Sequence, residues 1–229
     1  MPHSVSMTTG QITTMEGVMS EEIVLYYNPM SRARIVHFML EEVGQPYRME
    51  LVRFDKGEHK TPAFLAVNPM GKLPALVHRG MAVTESAAIC AYLADAFPAA
   101  GLAPALDSPE RGTYYRWLFF GAGCVEPALM DRMLSRPATD KPTALGYGCY
   151  EDTVNALEKA IKPGPFILGD RFSAADVYIG SQIGFGMMMK SLEPRPSFQT
   201  YLARITERPA YKRAQEQCDK YTAQLKATA

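Results

Sequence analysis

The stretch Asn68-Pro69-Met70-Gly71-Lys72-Leu73-Pro74 decides how the first half of this chain is read. It separates a short helical pattern, Thr61 to Val67, from a strand pattern, Ala75 to His78. Asn-Pro with a nearby glycine marks a turn. Proline at a strand start removes a ladder donor, and an X–Pro bond takes the cis form at a cost of only ~0.5–1 kcal/mol. A cis bond at Leu73-Pro74 turns the Leu73 backbone outward, where its N–H and C=O can pair with an extended peptide as an added strand would. Lys72 sets a cation, suited to a carboxylate, beside that pair. A plain turn into an edge strand uses the same residues, and on this segment alone the two readings stand level.

Upstream, IVLYY (23–27) is a short apolar run and reads as a buried strand. Val36, Leu40 and Val43 then share one helical face with Ile35 and Met39 beside it, and Gly44 ends that helix. MELV (49–52) is a second strand candidate. Arg79-Gly80 separates Ala75–His78 from Met81–Thr84 as a two-residue hairpin turn does. Ile89, Leu93 and Phe97 mark a helix over Glu85 to Phe97. The order predicts a mixed four-stranded sheet flanked by helices.

Downstream the strand signal stops. Pro98 to Asp107 is rich in Ala and Pro and has no period, so 99–107 reads as a linker. Ser108-Pro109-Glu110 is a strong helix start, and the helix is expected to run to about Ser135. Val154, Leu157 and Ile161 mark another helix. Ser173 and Asp176 form a close variant of the capping box. Phe198, Leu202 and Ile205 mark a further helix, and Pro209 opens the last. Residues 108–229 are therefore expected to be an all-helical domain behind an α/β domain over 21–98.

Composition limits the function classes. The 229 residues carry 24 Lys+Arg against 24 Asp+Glu, a formal net charge of zero. That argues against a coat for nucleic acid or an anionic membrane. The 47% apolar content is ordinary for a globular chain. The uncharged run Val177–Met189 is short of the ~18–20 residues a bilayer span needs. Residues 1–20 lack Lys and Arg and any compact apolar stretch, so they read as a disordered extension, neither secretory signal nor transit peptide. Cys90, Cys124, Cys149 and Cys218 are far apart without a C-x-x-C pair, which reads as reduced cytoplasmic thiols and gives no metal site.

Two further segments have chemical meaning. Thr84-Glu85-Ser86 places Glu85 and Ser86 at a helix N-terminus, where free N–H groups and a hydroxyl suit a carboxylate and Glu85 suits an ammonium group. In isolation, simple capping with a favourable acid on the helix dipole is the better explanation of the pair. In Tyr27-Asn28-Pro29-Met30-Ser31-Arg32 a strand ends and a helix begins near Ser31. A hydroxyl there, with the helix dipole, can donate to a bound thiolate. Lowering a thiol pKa by ~2 units needs about 2.7 kcal/mol. One hydrogen bond to a charged acceptor, ~1.5–3 kcal/mol, with a dipole contribution of ~0.3–1, is the right size. An N-cap is the plainer role for Ser31.

In this order and spacing, the three segments and the F-S-A-A-D run at Phe172 to Asp176 resemble the glutathione S-transferase superfamily over about residues 22–215. The look is bacterial and serine-type. The resemblance implies a thioredoxin-like N-terminal domain, an all-α helical-bundle C-terminal domain, a homodimer, and glutathione as co-substrate. It implies that Leu73 before cis Pro74 pairs with the cysteinyl backbone. Glu85 and Ser86 would hold the γ-glutamyl end, and Lys72, helped by His59 or Lys60, the glycyl carboxylate. The thiol is assigned to Ser31, with Tyr27 as the alternative. Tyr114, Trp117 and Phe120, with Tyr115, Phe119 and Met130, are candidates for the wall of an apolar electrophile pocket, although aromatic stripes at helical spacing are usually core. The expected activity is thiolate attack on a small electrophile in detoxification. Glutathione-dependent peroxide reduction, isomerisation or dehalogenation, or a non-catalytic binding role, are the alternatives.

Overall fold

The computed structural model describes residues 21–227. The expected disorder of 1–20 lies outside the described residues. Strands β1 (Ile23–Tyr27), β2 (Arg48–Leu51), β3 (Ala75–His78) and β4 (Met81–Thr84) form one sheet in the order β2-β1-β3-β4. β1 pairs with β2 in parallel and with β3 antiparallel, and β3 pairs with β4 antiparallel. The parallel pair needs a crossover, which helix α1 (Ala33–Val43) provides. Its end is Gly44, whose left-handed φ of 71° lets its N–H reach Leu40 O at 2.9 Å. Arg79 and Gly80 both have positive φ, 53° and 72°, the geometry a tight hairpin requires.

Alternation along β1 sorts its side chains between two layers. Tyr26 stacks edge-on against Phe64 of α2 (Pro62–Val67), while Tyr27 faces His37 of α1. β2 is displaced by one residue from the expected 49–52. Val52 still donates to Tyr27 O at 2.9 Å, but the ladder has ended. α3 (Ser86–Ala96) packs on α1.

Among the described residues beyond α3 there are helices and isolated bridges but no strand. The expected linker is itself packed. Leu102 is buried and its carbonyl accepts from Ala174 N at 2.8 Å. The helix expected from Ser108 to Ser135 is three pieces: α4 (Glu110–Phe120), a π-helical turn (Gly121–Val125) and α5 (Glu126–Met133). Ser108 does cap it, its Oγ accepting from Glu110 N at 3.3 Å. The π turn falls where Gly121 lies against Tyr178. A Cβ there would come within 2.7 Å of the tyrosine ring, so only glycine admits this crossing.

The rest is α6 (Tyr150–Ile161), α7 (Ala174–Met188), α8 (Pro196–Thr206) and α9 (Pro209–Ala227). α7 is apolar on most sides because it is central, packing against α1, α3, α4 and α8. Its capping box is complete. The fully buried Asp176 accepts from Ser173 N and Oγ at 2.9 Å, Ile167 N at 2.7 Å and Tyr201 Oη at 2.8 Å. α9 returns to α1, where Arg208 grips Glu42 with two bonds of 2.6 and 2.8 Å. Phe38 sits between Phe172 and Tyr211, so one apolar core runs through both parts.

Candidate functional site

The sheet register brings the three segments to one line. Tyr26 pairs with Ala75, and Ala75 pairs with Thr84. One residue beyond that row stand Tyr27, Pro74 and Glu85. The turn leading to Ser31, the Leu73–Pro74 step and the start of α3 therefore share one end of the sheet.

Two turns of the same sequence frame this end. In Asn28-Pro29-Met30-Ser31, Asn28 Oδ1 accepts from Met30 N at 2.9 Å and Asn28 O from Ser31 N at 3.0 Å. Asn28 Nδ2 donates to Val52 O at 2.8 Å. In Asn68-Pro69-Met70-Gly71 the corresponding bonds are 3.1 and 2.8 Å, and Asn68 Nδ2 donates to Lys72 O at 2.8 Å. Both asparagines are buried. Gly71, at φ 62°, passes so close to Lys60 and His59 that a Cβ would meet Lys60 Nζ at 2.6 Å and His59 O at 2.7 Å.

The Leu73–Pro74 bond is cis. Among the described residues neither Leu73 N–H nor C=O makes a hydrogen bond, although the side chain is nearly buried. The backbone edge is thus available to an extended peptide. Glu85 holds φ 66° and ψ 116°, an uncommon conformation for a residue with a side chain. It projects an exposed carboxylate at the start of α3, and the first-turn N–H groups of that helix lack a side-chain cap. Ser86 is the first helical residue and is half-buried. Lys72 is exposed. Lys60 is engaged, its Nζ donating to Met70 O at 2.9 Å, and the His59 ring lies edge-on to Phe54.

Ser31 is half-buried, two residues before α1. Its Oγ donates to Asn28 O at 2.7 Å and accepts from Ala33 N at 3.1 Å. Tyr27 is placed differently. It is fully buried beneath α1 and α9, against His37 and Tyr221, and burial pushes its phenol far above the usual range. It is a core residue and presents no hydroxyl to the site end.

The expected electrophile wall needs correction. Tyr114 is fully buried and Trp117 nearly so. Tyr114 lies beside Cys90 of α3, and Trp117 packs edge-on against the half-buried Phe120. Tyr114 and Trp117 fill the face of α4 that meets α3 and α7, where helical spacing turns them inward, while Phe120 stands half-exposed at its border. Tyr115 and Phe119 instead face solvent. Met130 is the member of the set that meets the Ser31 turn, through Arg32. The Arg32 side chain crosses to the helical part. Its Nε pairs with Glu126 at 3.2 Å, Nη2 lies 3.0 Å from Met130 Sδ, and Cζ sits 4.1 Å over the Phe185 ring. Glu126 Oε2 also accepts from Gln182 Nε2 at 3.0 Å. Sequence reasoning missed Glu126, Gln182 and Phe185. A carboxylate inside a helical run was their one visible signal.

Two concavities of about 470 and 360 Å³ lie elsewhere, the first at β2 beside Phe97 and the second between Tyr47 and Tyr221. Neither is lined by Tyr27, Pro74 or Glu85. No group of His, Cys, Asp and Glu suited to a metal occurs among the described residues.

A thioredoxin-like sheet with a free backbone edge before a proline, joined to a helical bundle, defines a glutathione-transferase class of protein. The comparisons agree. The model of the glutathione S-transferase N-terminal domain matches residues 21–95 and that of the C-terminal domain residues 136–204. Glutathione S-transferase 1 of Dianthus caryophyllus is 30% identical over 182 residues, 74% of this chain and 82% of the relative. Glutathione S-transferase GstA of Escherichia coli O157:H7 is 30% identical over 195 residues, 81% and 93%. The crystal structure of a glutathione transferase homologue from Sulfitobacter, with bound glutathione, superposes at a TM-score of 0.72. It is 26% identical and covers 86% of this chain and 99% of that one. The chain belongs to the glutathione S-transferase family.

Proposed function

We propose that the protein is a glutathione transferase in which Ser31 stabilises the glutathione thiolate for attack on a small, mostly apolar electrophile. The observation that carries this reading is the register line Tyr27, Pro74, Glu85. It sets a free backbone pair, an acid at a helix start and the Ser31 turn within reach of one tripeptide. Leu73 would pair with the cysteinyl backbone, Glu85 and Ser86 with the γ-glutamyl end, and the exposed Lys72 with the glycyl carboxylate. Bound glutathione in the Sulfitobacter homologue supports the same ligand.

Ser31 now gives its proton to Asn28 O. Turning it to a thiolate exchanges a neutral acceptor for a charged one, roughly doubling the strength of the bond. Asn28 O keeps the Ser31 N–H, so the exchange leaves no carbonyl unmatched. The burial of Tyr27 favours Ser31 over it.

The same proposal divides the chain into a glutathione-binding unit, 21–98, and a helical unit from 108, joined by 99–107. It takes the working form as a cytoplasmic homodimer that detoxifies electrophiles. Phe119, 73% exposed on α4, and the neighbouring Tyr115 support an apolar face for a second copy. Four free cysteines fit a reducing compartment.

Calorimetry with glutathione, together with turnover of chlorodinitrobenzene, tests the reading. Glu85→Gln and Ser86→Ala should each weaken glutathione by about tenfold, the loss of one hydrogen bond to a charged group. A wild-type chain that binds no glutathione would overturn it.

A further inference from the structure

We infer that Arg32 and Glu126 form a charge-balanced pair at the acceptor side of the site, and that Glu126 is a specificity-determining residue. It selects electrophiles that arrive neutral and develop negative charge only as they react. The inference rests on the glutathione-transferase reading of the same site.

Arg32 is the next residue after Ser31, so the cation leaves the backbone where the sulfur would lie. Its side chain does not extend into solvent. It is held by Glu126 at 3.2 Å, by Met130 Sδ at 3.0 Å and by the Phe185 ring face at 4.1 Å. Three elements fix the pair: the start of α1, α5 and α7. Glu126 is anchored from behind by Gln182, which is 1% exposed, and by Tyr178 Oη at 3.4 Å. The two charged side chains keep 28% and 31% of their surface, so they are open on one side. Among the described residues Arg32 Nη1 makes no hydrogen bond, and this leaves a guanidinium edge for an incoming group.

This balance sets the chemistry. In aromatic substitution the thiolate sulfur forms a C–S bond and its negative charge passes to the ring and its nitro groups. The C–Cl bond then breaks and chloride leaves with the electron pair, without net oxidation or reduction. The Arg32 edge meets the charge as it develops. Before reaction Glu126 offsets the Arg32 charge at a distance, so an anionic acceptor gains nothing on approach, whereas charge that develops in contact with the open Nη1 edge lies nearer the cation than the carboxylate. The apolar partners Met130 and Phe185 suit a neutral ring.

The test compares chlorodinitrobenzene with its carboxylate-bearing derivative, chlorodinitrobenzoate, as paired acceptors for the full-length enzyme. Wild type is expected to prefer the neutral acceptor in kcat/KM. Glu126→Gln should narrow that preference by about fivefold, mainly through KM for the benzoate, the size of one like-charge contact removed at ~6 Å. Arg32→Gln should lower kcat for both and widen the preference, because Glu126 is then unopposed. The double variant should return the ratio towards wild type. Calorimetry with the two finished glutathione conjugates gives a reading independent of turnover and should show the same order. A ratio unchanged in either single variant, or a wild type that prefers the benzoate, overturns the inference. A wild type that neither binds glutathione nor conjugates either acceptor fails the broader reading and removes this one with it, whereas normal conjugation with unmoved ratios fails this one alone.

Discussion

Asn28-Pro29-Met30 and Asn68-Pro69-Met70 make the same turn at the same end of the sheet, yet the chain leaves the two turns in different ways. In each, a buried asparagine side chain takes the N–H two residues on and gives its amide to a carbonyl. Proline presets the first bend, and both methionines stand exposed. The fourth residue separates them. Ser31 stays on the right-handed side and enters α1, so the next backbone groups are absorbed by a helix. Gly71 takes a positive φ and sends the chain on extended, which leaves the Leu73 pair unbonded. One turn therefore supplies a side chain and the other supplies backbone. A site for a peptide that reacts through its sulfur needs both.

The two turns are most easily disrupted at their asparagines. Asn28→Ala and Asn68→Ala should each cost about 3 kcal/mol in urea unfolding, since each removes a buried side chain and leaves one donor and one acceptor of its turn without their partner. Unequal losses would show that the turns are alike in geometry only.

Acid should then separate them. His37 lies on the helix that the first turn opens, and burial pushes its pKa from 6.5 down to about 4. The folded state thus keeps it neutral while the unfolded chain takes up a proton. The stability is fully present above pH 6.5 and is lost as the pH falls towards 4. Unfolding of wild type against His37→Gln should show about 3 kcal/mol of acid-dependent loss by pH 4 removed by the substitution.

Gly71→Ala comes next, at about 1–2 kcal/mol, from the positive φ and the approach of Lys60 and His59. It should also weaken glutathione, by displacing Leu73. Ser31→Ala should be the mildest for stability, below about 1 kcal/mol, because Asn28 O retains a backbone donor. Its effect should fall on chemistry instead. The bound thiol pKa should rise by about one unit in a thiolate-absorbance titration. An unchanged titration removes Ser31 from the role and leaves the turn structural.

Most of the fold was legible because its signals are short-ranged. The β1 run, Gly44 after α1, the Arg79-Gly80 turn, the Ser108 start and the Ser173–Asp176 box each depend on a few adjacent residues. Those residues have restricted φ and ψ or local hydrogen bonds. The backbone side of the site was legible for the same reason. The acceptor side was not. Tyr114, Trp117 and Phe120 show the helical period that a pocket wall and a core face share, and period alone does not say which neighbour a face meets. Tyr27 and Ser31 both stood near the strand end, and it is the packing of α1 and α9 together that buries one of them.

By itself the sequence determined the element order, the two Asn-Pro-Met turns and the residues placed at the sheet's end, since local sterics and alternation specify these without reference to distant chain. The tertiary structure decided which aromatics are core and where the π turn falls. It also decided that Arg32 meets Glu126 across the site. Each of these depends on how α5, α7 and α9 pack over α1, a long-range arrangement that burial selects and no single segment encodes.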